Sequence, residues 1–74
     1  MQEYSKEAQR VLEALNDDEI KQLRKENPFR NERNAKIIEL RKRGVKIVII
    51  SEISGLSDTA LRSIIRHEYR YQKS

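Results

Sequence analysis

Residues 47–66 read IVIISEISGLSDTALRSIIR, and the fold turns on how this stretch is read. Its first part is ambiguous. Five of the six residues from Val45 to Ile50 are β-branched, which favours a strand. The spacing Ile47, Ile50, Ile53, with small Ser51 and Ser54 alongside, fits a helix instead. The residues after Gly55 tip the balance to helix. Ser57 is placed to cap a further helix, and Ala60, Leu61, Ile64 and Ile65 then line one side of it. A strand at 45–50 would dissolve this helix pair and leave a winged or ribbon-type element in its place.

Two short helices crossing at a steep angle need a small residue where they meet, and Ser51 is there. They need a residue tolerant of positive φ in the turn, and Gly55 supplies it. Apolar side chains must close the wedge from both sides: Ile47 and Ile50 before the turn, Leu56 within it, Leu61 and Ile64 after it. This is the pattern of a DNA-binding helix-turn-helix, spanning residues 46–68.

Upstream, a helix is expected from Asn31 to Arg43, with Ala35, Ile37, Ile38 and Leu40 on its apolar side. Gly44 stops it, and Val45 can pack back on Leu40. Arg41, Lys42 and Arg43 sit in the last turn, where cations suit the helix dipole. Before that, Asn16 starts a helix with Glu19 three residues on, as in a capping box. Asp17 and Asp18 add negative charge at its start, and Ile20 and Leu23 give it an apolar face. Pro28 disfavours helix at Asn27 and should end this segment. A first helix from Ser5 to Leu15 carries the stripe Tyr4, Ala8, Val11, Leu12, Leu15. The polar end, Tyr69 to Ser74, is expected to fray. The expected fold is therefore all-α, a small bundle of four to five short helices in one domain, 1–74. Residues 1–28 serve packing or dimerisation, and residues 31–68 form a three-helix unit.

The stretch Ala35-x-x-Ile38, then Gly44-Val45, then Leu56-Ser57 followed by Leu61 resembles the helix-turn-helix of resolvase, invertase and transposase DNA-binding domains. There too a basic helix ends in glycine before the motif. It is also similar to the corresponding segment in the C subunit of the enterobacterial flagellar master regulator. The resemblance does not reach residues 1–30. It implies binding to double-stranded DNA. In that geometry the start of the second helix enters the major groove. Its outward residues would be Ser57, Asp58, Thr59, Arg62, Ser63 and Arg66. Arg62 is the first choice for a base contact, because a guanidinium pairs bidentately with guanine. Asp58 is better read as a helix-start acid than as a cytosine contact. Arg41, Lys42, Arg43 and Lys46 are candidate phosphate contacts, with Arg30, Arg33, His67 and Arg70 weaker ones.

Charge distribution points the same way. Residues 1–26 hold five Lys/Arg against seven Asp/Glu, net −2, and residues 27–74 hold eleven against five, net +6. The second part is what a polyanion would attract, although basic helical proteins also carry such charge for solubility alone. At 74 residues the chain suffices for one small domain with a thin margin of stability. Without cysteine it has neither a disulfide nor a thiolate zinc site, which leaves helix packing or self-association. A homodimer is expected, through Val11, Leu12 and Leu15 or through the surplus Val48 and Ile49; the first stripe can equally well just close the core.

An enzyme is not expected. His67 is the sole histidine and has no cysteine to work with, and Asp17, Asp18 and Glu19 are explained by their place at a helix start. The isolated glycines form no phosphate-cradling loop, and no cofactor or small-molecule ligand is evident. Phe29 stands alone; Tyr69 and Tyr71 near the end keep single-stranded nucleic acid as a minor alternative. No apolar run approaches the roughly 20 residues of a membrane span, and the N-terminus lacks a basic-then-apolar leader. A bacterial cytoplasm or nucleoid is the expected location. The competing functions are a protein-interaction adaptor of the transcription machinery, the DNA-binding domain of a recombinase or transposase and, ranked low, binding to a membrane surface.

Overall fold

The computed structural model describes the backbone of residues 4–72 and the side chains of residues 4–67. Five helices succeed one another among the described residues: α1 (Lys6–Ala14), α2 (Asp17–Leu23), α3 (Arg30–Lys42), α4 (Ile47–Ser54) and α5 (Asp58–Gln72). The all-α bundle expected from the periodicity is what forms, and no described residue lies in a strand. α5 runs on through Gln72, past Tyr69, where the polar composition predicts fraying. Arg70 and the rings of Tyr69 and Tyr71 lie outside the described side chains.

Local chemistry sets most boundaries. The Ala8 N–H donates to Ser5 Oγ at 3.2 Å and starts α1. At α2 the Glu19 N–H donates to Asn16 Oδ1 at 2.8 Å and the Asn16 N–H donates back to Glu19 Oε1 at 3.2 Å, a complete capping box. α2 then stops at Leu23, well before Pro28. Its chain turns extended at Arg24, and the Lys25 N–H leaves the helix to donate to the Ser54 carbonyl at 3.0 Å. Tertiary pairing ends this helix, and proline only forbids its resumption. α3 ends at Gly44, φ +94°, with Gly44 N–H to the Arg41 carbonyl (3.0 Å) and Val45 N–H to the Leu40 carbonyl (3.1 Å). Those two bonds make a Schellman stop.

α4 is helical despite its β-branched run. Ile49, Ile50, Ile53 and Ser54 are all buried. Full burial of an isoleucine side chain contributes roughly 1.5–3 kcal/mol, against a helix-propensity penalty of at most about 0.7 kcal/mol per residue. Packing wins. α4 sits at the centre, touching α1, α2, α3 and α5, and one core joins Ala8, Leu15, Leu23, Ile37, Leu40, Ile49, Ile50, Ile53 and Leu61. Leu15 and Ile49, two of the residues considered for a dimer surface, are therefore core residues. Val11 and Leu12 are half-buried against the same core, and Val48 is 58% exposed.

Candidate nucleic-acid interface

The α4–α5 turn is held by more than its glycine. Gly55 has φ +85°, and its N–H donates to the Ser51 carbonyl at 2.9 Å. The Ser51 hydroxyl donates to the Leu56 carbonyl at 2.5 Å, and the Leu56 N–H donates to Ser54 Oγ at 3.2 Å. Ser54 is wholly buried, and these bonds, with Lys25, satisfy its polar atoms. Ser57 starts α5: the Ala60 N–H donates to its Oγ at 3.2 Å and the Leu61 N–H to its carbonyl at 3.0 Å.

From that start the helical period sorts the side chains of α5. Leu61 points into the core with no exposure. Ser57, Asp58, Thr59, Arg62, Ser63 and Arg66 are all exposed. Thr59, Arg62, Ser63 and Arg66 are spaced three and four apart and share one face, opposite Leu61. Neither Arg62 nor Arg66 has an ion-pair or hydrogen-bond partner among the described residues.

The basic cluster before α4 is less uniform. Arg41, Lys42, Arg43 and Lys46 are all exposed, but Arg43 Nη2 lies 2.5 Å from Glu39 Oε1 and Lys46 Nζ lies 4.0 Å from Glu7 Oε1. Arg41 donates to the Val45 carbonyl at 3.3 Å and keeps its charge unopposed. Lys42 has no partner among the described residues, and it lines the same groove as Leu56 and Ala60 beside the start of α5. Arg30, Arg33 and His67 line the other end of that groove.

A cation that reads as one more surface lysine is absent from this face. Lys36 is 8% exposed and bound to Glu19 and, at 3.2 Å, to Glu39. The hydrogen bond from Lys36, helped by the Asn16 N–H, holds the Glu19 carboxyl below the usual carboxylate range, and Glu19 in turn raises Lys36. This pair ties α2 to α3. The Ser5 N–H likewise donates to Glu52 Oε2 at 2.5 Å, tying α1 to α4. Both links join residues far apart in the chain, and no spacing rule reveals them.

Among the described residues no three of His, Cys, Asp and Glu come together as metal ligands would, and no helix is long and apolar enough to cross a membrane. No protein-family model, curated protein or solved structure matches this chain.

Proposed function

We propose that the chain binds double-stranded DNA through residues 46–68, with α4, the Gly55 turn and α5 acting as a helix-turn-helix, and that it serves as a small transcriptional regulator in a bacterial cytoplasm. The observation that carries this reading is the exposed row Thr59, Arg62, Ser63, Arg66 on a helix whose opposite side is locked into the core. Among the described residues the two guanidiniums on it are unpaired, and Lys42, also without a described partner, lies beside the helix start. An α-helix fits the major groove, about 12 Å wide. In this arrangement Arg62 and Arg66 face base edges, Thr59 and Ser63 face bases or phosphates, and Arg41 and Lys42 meet the backbone. Arg43 and Lys46 meet it only after giving up Glu39 and Glu7.

Fluorescence anisotropy of labelled random duplex, wild type against Arg62→Ala/Arg66→Ala across a salt series, tests this. Binding should weaken steeply with salt, by a slope near −0.9 per phosphate contacted. Each arginine should be worth about 1–3 kcal/mol on a preferred site, with helical circular dichroism unchanged. A folded protein that ignores duplex at low salt removes the reading. One observation then favours an interaction adaptor: Phe29 is 67% and Val48 58% exposed. With Leu15 and Ile49 in the core, the residues left to a homodimer from those two sets are the exposed Val48 and the half-buried Val11 and Leu12. A monomer by light scattering at the highest soluble concentration ends that part.

A further inference from the structure

The groove between α3 and α5 measures about 960 Å³, at the upper end of the about 300–1,000 Å³ typical of small-molecule sites. Its composition is two-sided. Ile38, Leu56, Ala60 and Ile64 give it an apolar wall, and Arg30, Arg33 and Lys42 give it cations. Among the described residues one acid lines it, Glu39, and that carboxylate is already bound to Lys36 at 3.2 Å and Arg43 at 2.5 Å. No other described carboxylate opposes the positive charge of the groove from within. Arg33 is held furthest from water. It is half-buried, its Nε is shut from solvent with no acceptor, and its terminal nitrogen reaches only the neighbouring Asn34 Oδ1 at 3.4 Å. No described carboxylate pairs with the Arg33 guanidinium, and a charge-assisted bond from its terminal nitrogens to an anion would be stronger than the one long contact they make. Arg30, three residues earlier, lies one helical turn away on the same helix and has no partner among the described residues.

We infer that this groove binds a small organic anion with an apolar body. Its carboxylate, phosphate or sulfonate head sits on Arg30 and Arg33, a charge-assisted arrangement that a guanidinium pair suits, and its body lies on Ile38, Ala60 and Ile64. Lys42 and Ser63 line this groove and also belong to the proposed duplex surface, so the two readings are told apart at Arg30 and Arg33, which are on α3 and off the Thr59–Arg66 face.

The test is a fluorescence titration of the full chain with 1-anilinonaphthalene-8-sulfonate, a sulfonate on an aromatic body, followed by competition with octanoate, phenyl phosphate and inorganic phosphate. The expected result is saturable binding at one site per chain. Arg30→Gln/Arg33→Gln should weaken it about tenfold or more, while Arg62→Gln/Arg66→Gln should leave it within about twofold. Because Arg33 is partly buried, a second variant guards against simple loss of fold. Ala60→Leu keeps both arginines, narrows the apolar wall and should also block the probe, with both variants checked by thermal melting. Displacement by octanoate alone identifies a carboxylate ligand, and by phenyl phosphate alone a phosphate ester; inorganic phosphate, lacking the body, should not compete. Absence of saturable binding overturns the proposal, as does binding that survives Arg30→Gln/Arg33→Gln or is lost equally in Arg62→Gln/Arg66→Gln. If no anion binds and Arg30→Gln/Arg33→Gln weakens duplex binding instead, the groove is part of a DNA-backbone surface and the proposal fails.

Discussion

The two sides of α5 answer to different demands. On the inner side Leu61 is wholly buried in the same core as Ile50 and Ile53, which are wholly buried too. On the outer side, one residue on from Leu61, Arg62 is exposed and touches no described partner, and Arg66 repeats it a turn later. The inner side has no room for change and the outer side has no contact to lose. Stability rests on the inner side, and the recognition proposed above would fall to the outer side, so substitutions should divide along that line.

The largest effect belongs to the inner side. Ile53→Ala empties a fully buried site at the centre of the bundle and should cost about 2–5 kcal/mol. A domain this small has roughly 0.05–0.15 kcal/mol of stability per residue, so the upper end of that loss leaves little folded. Thermal unfolding monitored by circular dichroism would show it. A melting temperature close to wild type would mean that the inner wedge does not hold the fold, and the contrast would break.

Next come the two glycines that set the helix ends. Gly55→Ala forces a left-handed residue with a Cβ, at about 1–2 kcal/mol. That Cβ would sit 3.3 Å from a Lys25 methylene, a flexible side chain that can yield, whereas at Gly44 nothing lies within 4 Å. If φ is the whole cost, Gly44→Ala and Gly55→Ala should lose similar amounts by urea titration. A much larger loss at Gly55 would show that the turn before α5 is packed tightly enough to count as inner side.

These positions also show what can be read from a chain. Gly44 with Val45 and Leu40, and Asn16 with Glu19, are visible in sequence because each device closes within five residues. The outward row on α5 is visible because helical spacing from Leu61 generates it. The spacing leaves Leu15 open between core and dimer surface and leaves Ile49 as surplus, since their burial depends on α1 lying against α4. Ala35 reads as core and is exposed, while the adjacent Lys36, which no apolar spacing marks, is buried. Lys36 is buried where it meets Glu19 on another helix, and a hydrophobic pattern carries no record of that partner. The Arg43–Glu39 pair, at i,i+4, was open to reading; the Lys46–Glu7 contact was not.

A smaller effect is expected at that α2–α3 seam. Glu19 is held below its ordinary range by Lys36, so its contribution is present above that range and is lost as pH falls towards the lowered folded value. Lys36 is raised, so its contribution is complete at neutral pH and is lost only as pH rises through the raised value. Glu19→Gln should therefore flatten the acid limb of stability from the ordinary carboxylate range downwards. The size is limited because the Glu19 side chain is 26% exposed and water screens the pair. Thermal melts of both proteins over that range would decide it; an equally steep acid limb in Glu19→Gln would assign acid sensitivity to other carboxylates.

The smallest change in stability is expected from the largest change in charge. Arg62 and Arg66 stand at i,i+4 on one exposed face, and like charges at that spacing destabilise a helix by about 0.2–0.5 kcal/mol. Alanine is also a slightly better helix former. Asp58, one turn before Arg62 but not ion-paired with it, offsets part of the repulsion. Arg62→Ala/Arg66→Ala should therefore lie within about 0.5 kcal/mol of wild type, on the more stable side. Any gain should shrink as added salt screens the repulsion. The two arginines, with no partner among the described residues, are then held at a small cost to the fold, as the proposed duplex contact would allow. If the double variant instead lost more than about 1 kcal/mol, beyond the range of contact-free surface changes, the outer side would be part of the scaffold. A drop in duplex affinity could then no longer be assigned to lost DNA contacts.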